Sequence, residues 1–454
     1  MIMVMDSAPG LKRFLQKTGL HDLARQMVFR MVVAFLTRRG RMSCSQAAGS
    51  VASDVIHRGE LTRFLARPRW QKHDFNGPLR AALLACESRR GKFLFLIDAS
   101  LVSQAGKKTE NTYSTGNRRR RPAKNRRYNK KKVVFKTCHS FTFGLLITPS
   151  GIRIPFQIPH YTEEYCAEHG IQHLSTAESA ADMIRSLPLP PNAEVVVLGD
   201  TAYDGRVVHR ACEERGYLWI FPANPERVYE GAKGQRPKLR SRLKDWSHLS
   251  LQTVRLQAST SEYARYRRLS KWRLGPKQKP RVYYAHQEKR DVRRVGRVLL
   301  VFSTMNSKLT TATPDDVKIL MTNATHFNAR EVIELYSLRW QIELFFKELK
   351  STLGFSQYRF QCFQAVKAWV EIAILTVLFL EHFRAQRLSD RRLSKEARRW
   401  WDAQRLHGLS AAFQQESTGQ ELKYLSDRLK TSGGIAKLKH LLATAIPPEY
   451  RVAA

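Results

Sequence analysis

Over the first 88 residues, apolar positions recur three and four apart, at Leu11, Phe14 and Leu15 and again at Met27, Val28, Met31, Val32, Phe35 and Leu36. That period is one side of an α-helix, and a further helix runs through 60–65 towards Trp70. The stretch from Ser43 to Ala52, behind Arg38, Arg39 and Arg41, could supply a helix-turn-helix-like reader. A plain basic helical domain accounts for it equally well. The pattern then switches. Phe93-Leu94-Phe95-Leu96-Ile97 is a continuous apolar run that ends on Asp98, and such a run predicts a buried strand.

Further strands are predicted over 133–147, 152–158, 195–198 and 217–221, with helices over 177–187 and 206–215 between them. The run Val195-Val196-Val197-Leu198-Gly199 ends on Asp200, so two buried strands finish at a carboxylate. Strands alternating with helices indicate a mixed α/β sheet, and the ends of its strands are where ligands bind. From 225 to 328 the pieces are short and strand-like, at 253–256, 281–284 and 298–302. A strong helix is predicted over 329–350, and helices from 362 to the end.

Charge changes the picture. The 454 residues carry 78 Lys and Arg against 39 Asp and Glu, a net +39. A folded chain that repels itself this strongly points to a polyanion, because each phosphate neutralised releases condensed counterions. Nucleic acid comes first and an anionic membrane second. The membrane weakens at once: the longest apolar run, 370–380, is short and contains Glu371, whereas a span needs about 20 apolar residues. No signal peptide opens the sequence. Six cysteines without a CxxC pair fit reduced thiols and a cytoplasmic, nucleoid-associated location. Cys166, His169, His173, His209 and Cys212 are only loosely zinc-like.

The basic residues are concentrated. Residues 117–132 hold ten, including Arg118, Arg119, Arg120, Arg121, Arg126 and Arg127, and no acid occurs from Asn111 to Thr162. Between 225 and 300 there are 21 Lys or Arg against 6 Asp or Glu, interleaved with aromatics. Both segments read as faces turned towards phosphates, the second with rings able to stack on unpaired bases.

Within the helix at 329–350, Tyr336, Arg339, Glu343 and Lys350 stand at offsets 0, 3, 7 and 14. At ~100° per residue they fall within an arc of about 60°, beside an apolar stripe of Leu335, Leu338, Ile342, Phe345, Phe346 and Leu349. Spacing alone is compatible with an ordinary amphipathic helix. Added to Asp98 and Asp200, however, Glu343 completes three carboxylates in a chain saturated with positive charge. Hard divalent cations bind through such carboxylates and phosphate oxygens, and two of them can serve phosphodiester chemistry. Asp204 competes with Asp200 but lies past the strand end.

The spacing Tyr336-x2-Arg339-x3-Glu343-x6-Lys350 resembles the YREK signature of the DDE insertion-sequence transposases. The segments around Asp98, Asp200 (Leu-Gly-Asp-Thr-Ala-Tyr-Asp) and 320–323 are similar to that family's other motifs. The resemblance covers roughly 90–385. It implies an RNase H-like mixed-sheet core at 89–224 and 329–385, split by a β-rich insertion at 225–328. Flanking these would be a helical DNA-binding domain at 1–88 and a helical region at 386–454. It further implies Asp98, Asp200 and Glu343 as ligands of two Mg²⁺ ions, replaceable by Mn²⁺, with Tyr336, Arg339 and Lys350 on phosphates beside the cut. Trp272, or alternatively Trp246, would hold a flipped base. The implied activity is cut-and-paste transposition of double-stranded DNA by a synaptic homodimer. A basic DNA-binding protein and a structure-specific nuclease, each derived from such a core, are the alternatives.

Overall fold

The computed structural model describes residues 9–37, 41–51, 55–67, 74–104, 106, 108–118, 133–231, 234–257, 263–268, 279–430, 433 and 436. Ten strands join into one mixed sheet: β1 (Phe93–Ser103), β2 (Tyr113–Arg118), β3 (Val133–Ile147), β4 (Arg153–Pro159), β5 (Val195–Leu198), β6 (Leu218–Pro222), β7 (Gln252–Leu256), β8 (Arg281–Val292), β9 (Gly296–Thr304) and β10 (Lys318–Thr322). Their order is β2-β3-β1-β5-β6-β10-β9-β8-β7, with β4 also on β3. Among the described residues only the β1/β5 and β5/β6 pairs are parallel. These are the strands that read as unbroken apolar runs, because both of their faces are covered.

The strands from 225 to 328 lie in this same sheet. β10 pairs antiparallel with β6 and carries β9, β8 and β7 outward. β1 is longer than its apolar run suggests and continues to Ser103, so Asp98 sits inside the strand rather than at its end. The reason it still marks an opening is register. β5 pairs with β1 only as far as Leu96 opposite Leu198, so at Asp98 the strand has lost its parallel neighbour and keeps only β3, with Phe143 opposite. β2 was not predicted; its sequence, Tyr-Ser-Thr-Gly-Asn-Arg, has no apolar periodicity and is paired only by β3.

The helices are α1 (Pro9–Gln16), α2 (Asp22–Thr37), α3 (Cys44–Ala48), α4 (Arg58–Ala66), α5 (Gly77–Leu84), α6 (Glu163–His169), α7 (Thr176–Arg185), α8 (Arg206–Glu214), α9 (Ala264–Arg267), α10 (Ala329–Ser337), α11 (Trp340–Ser351), α12 (Phe363–Ser389), α13 (Lys395–Ala403) and α14 (Leu406–Leu429). α3 is a single turn capped by Ser43, with Ala47 and Ala48 buried. α12 is long and apolar enough by composition to cross a bilayer, but most of it is buried within the protein. It packs on β4 and receives α1, α2, α4, α5, α13 and α14. A helix apolar all round has to be covered all round, and its buried glutamates find partners inside the protein. Glu371 accepts from Asn76 Nδ2 at 2.8 Å and Gln157 Nε2 at 2.7 Å. Glu381 is ion-paired with Arg268, both side chains being 0 % exposed.

The predicted single helix at 329–350 is two helices. At Leu338 and Arg339 the bonds tighten to three-residue spacing: Leu338 N–H donates to Leu335 O, Arg339 to Tyr336 O, Gln341 to Leu338 O and Ile342 to Arg339 O, at 2.9–3.1 Å. A 3₁₀ turn advances further around the axis per residue than an α turn. Tyr336 therefore belongs to α10, whereas Arg339 opens α11 and Glu343 and Lys350 lie on it.

Candidate active site

Asp98 projects from β1 where β5 stops. One of its oxygens accepts the Ala99 N–H at 2.8 Å. Two residues past β5, Asp200 caps a 3₁₀ turn, Thr201–Tyr203, by accepting the Ala202 N–H at 2.9 Å. Glu343 approaches on α11, and Arg339 joins it to the strand. Arg339 Nη1 donates to Asp98 Oδ2 at 3.3 Å, while its Nη2 donates to Glu343 Oε1 one helical turn ahead. A residue 241 positions away in sequence is thus tied to the sheet by one guanidinium.

Electrostatics show that the carboxylates share one space. Asp98 is held above the ordinary carboxylate range, first by burial and then by the charges of Asp200 and Glu343, with Ala99 and Arg339 only partly compensating. Tyr336 is buried and pushed up to about 12, by burial and by Asp200 and Asp98 against the pull of Arg339. Burial alone would lower Arg339; Tyr336, Glu343 and Asp98 outweigh it and raise it instead. Lys350 reaches back to β1, donating to Leu101 O at 3.1 Å, and burial lowers its pKa. Among the described residues no three His, Cys, Asp or Glu side chains stand ready as a metal cage. Arg339 occupies the space between two of the candidates.

The competition between Asp200 and Asp204 is decided by burial. Asp204 accepts from Arg227 Nε at 2.6 Å and Nη2 at 2.8 Å and lies 3.2 Å from His209 Nε2, with its side chain 1 % exposed. Its backbone carbonyl also accepts from Arg227. It fastens the start of 225–328 to the end of β5 and leaves Asp200 free to face Asp98. The zinc-like set is dispersed in contacts of its own: His169 stacks on Tyr165, His209 stacks on Trp219, and Cys212 is buried on α8. Trp246 is 1 % exposed and part of the core, which removes it as a base-stacking residue. Trp272, Arg119, Arg120, Arg121, Arg126 and Arg127 lie outside the described residues, and Arg118 ends β2.

Two residues that the sequence did not single out stand at the site. Lys318, the first residue of β10, holds its ammonium 4.7 Å from the centroid of the Tyr336 ring, and its pKa is lowered by burial and by Arg339 against Glu343. Tyr203 is buried under Asp98 and Asp200, whose charges add to burial in raising its pKa. Tyr203 lies within the motif around Asp200, on the turn that Asp200 caps, but the motif gives it no role of its own. Lys318 belongs to no spacing pattern, and only the closing of the sheet brings it there. Trp340, beside Arg339, is 55 % exposed.

Residues 171–379 match the family model described as the transposase DDE domain. The matched stretch contains Asp200, Tyr336, Arg339, Glu343 and Lys350, and Asp98 precedes it. This likeness supports a transposase of the DDE kind, acting on DNA. No protein of curated function matches the chain.

Proposed function

We propose that the chain is the DNA transposase of an insertion sequence, which cleaves the 3′ ends of its element and joins them to target DNA by a cut-and-paste route. The observation that carries the reading is the Arg339 bridge, which gathers Asp98 and Glu343 from β1 and α11 beside Asp200. The likeness of 171–379 to a transposase DDE domain supports it. The order β4-β3-β1-β5-β6, with β3 antiparallel to β1 and α11 crossing near β1, is consistent with an RNase H-like core.

The donor set fits hard divalent cations. Three carboxylates burden one another, as the raised Asp98 shows, and their oxygens are the donors Mg²⁺ prefers. Asp98, Asp200 and Glu343 would hold such ions, which supply a nucleophilic oxygen and stabilise the leaving one. Around them this chain contributes cations. Arg339, with its planar fork, is suited to pass from carboxylates to the oxygens of a bound phosphate. Tyr336 bonds to Arg339, and Lys318 lies over the Tyr336 ring. Lys350 adds charge further along β1. The run at 117–132 and Trp272 would grip the duplex and an unpaired base. Two copies would hold two transposon ends.

Glu343→Ala tests this. It should abolish Mg²⁺-dependent cleavage of a terminal-repeat duplex while leaving its binding in place. Cleavage by that variant at the wild-type rate would sink the assignment. Joining of the cut end to a target plasmid separates transposition from simple nuclease action.

A further inference from the structure

A cleft lies outside the residues of the candidate active site. It has a volume of about 670 Å³ and runs between the N-terminal helices and the segment that follows α11. Arg41, Arg58, Arg63 and Arg359 line it, joined by His57, and no Asp or Glu does. All four arginines are exposed, and each of Arg41, Arg58 and Arg63 is without an acidic partner within ion-pair distance among the described residues. Some arginines elsewhere face an acid, as Arg185 does Glu214, Arg227 Asp204, Arg242 Glu288 and Arg268 Glu381; what sets the cleft apart is that four arginines share one hollow whose lining contains no acid. Four like charges facing one hollow cost self-repulsion, and that cost is recovered only when an anion enters. Ser43, Ser45 and Thr62 add hydroxyls to the same wall.

The cleft is rigidly connected to the carboxylates. Lys350 of α11 bonds to Leu101 of β1, three residues beyond Asp98. The next residue of β1, Val102, is paired with His139 of β3. His139 Nδ1 lies 3.0 Å from the Tyr358 hydroxyl, and Arg359 follows. From the other wall, the Met42 N–H donates to Gln357 Oε1 at 2.6 Å, which ties the α3 end to the same segment. Asp98 to Val102 is four residues of strand, about 13 Å at ~3.3 Å per residue. A DNA strand rises ~3.4 Å per nucleotide, so this stretch of β1 alone spans about four nucleotides, and the crossing to His139 and Tyr358 adds to it.

We infer that this cleft is a second phosphate-binding site, which takes the backbone of the duplex about four to eight nucleotides from the scissile phosphate. It deepens the proposed function and rests on it. The cleft acts as a ruler: with one stretch of backbone seated among Arg41, Arg58, Arg63 and Arg359, the phosphate to be cut is presented at Asp98 and Glu343. Arginine suits the task because its planar fork meets phosphate oxygens in pairs.

The test uses full-length protein and the terminal-repeat duplex. Arg41→Gln with Arg63→Gln should leave thermal stability unchanged, since both side chains are exposed. The slope of log affinity against log salt should fall by about 1.8, because each lost phosphate contact removes about 0.9. Methylphosphonates four to eight nucleotides from the cut should weaken wild-type binding, and weaken the double variant, which keeps Arg58 and Arg359, by less. A duplex that ends before the cleft should bind both proteins equally. An unchanged slope, or an equal loss on the truncated duplex, would overturn the inference. Glu343→Ala keeps the two readings apart. If it still cleaves, the catalytic assignment falls and the cleft is judged on its salt slope. If only the arginine variant is silent, the cleft falls alone.

Discussion

Replacing Arg339 by Met separates two roles that wild-type protein combines. The guanidinium holds Asp98 at 3.3 Å and also Glu343, one helical turn away. A buried charge-assisted hydrogen bond contributes about 1.5–3 kcal/mol. Here the three side chains are 17, 20 and 31 % exposed, and solvent screening brings each contact to about 0.5–1 kcal/mol. Arg339→Met should then destabilise the metal-free protein by about 1–2 kcal/mol. With an unfolding entropy of about 2.1 cal/mol/K per residue over 454 residues, the melting temperature falls by only about 1–2 °C.

Metal affinity should move the other way. A divalent cation entering wild type has to displace Arg339 from the same carboxylates. Removing the arginine should therefore tighten Mg²⁺ binding without DNA about 5–30-fold, the equivalent of 1–2 kcal/mol. Cleavage should nevertheless fall about 10²-fold, as when one donor to the transition state is lost. Isothermal titration in the absence of DNA gives the first quantity and single-turnover cleavage the second. Metal affinity unchanged in the variant would refute the reasoning, because the arginine would then not compete with metal.

Asp204→Ala should destabilise the protein by about 3–5 kcal/mol, since Arg227 and His209 lose a buried partner. Its neighbours hold Asp204 below the ordinary carboxylate value against the effect of burial. Its contribution is therefore complete above about pH 3.9 and is lost as pH falls through the lowered folded value, so denaturation curves of variant and wild type should converge on acidification. Trp246→Ala should cost about 3–5 kcal/mol by denaturant unfolding, whereas a base-stacking residue would cost little stability. Arg268→Ala, which strands Glu381 in the core, should cost about 3–5 kcal/mol in the same assay.

The elements that carry the candidate site were legible where burial on both faces writes itself into the chain. β1, β5 and β6 appear as unbroken apolar runs, and α7 and α8 as periodic ones between them. The spacing of Tyr336, Arg339, Glu343 and Lys350 pointed to a shared edge, although the 3₁₀ turn at Leu338 and Arg339 breaks the helix that the arithmetic assumed. Such a turn has no local breaker: no glycine or proline stands between Ala329 and Ser351. Lys318 was invisible because its position depends on β10 pairing with β6, a contact about 100 residues long in sequence. The fate of Asp204 was equally hidden, since Arg227 and His209 come to it only when the chain turns back on itself.

The central position of α12 also orders events in time. The helix begins at Phe363, and the apolar faces of α1, α2, α4 and α5 close upon it. Glu343 is made 143 residues after Asp200 (343 − 200). At about 5–20 residues per second a ribosome needs roughly 7–30 s to bridge that gap. During this interval the nascent chain has Asp98 and Asp200 but not Glu343, and its first helices lack α12 to dock on. On the proposed function the full carboxylate set is therefore assembled late in synthesis, and a copy terminated before Glu343 lacks the residue placed to complete it.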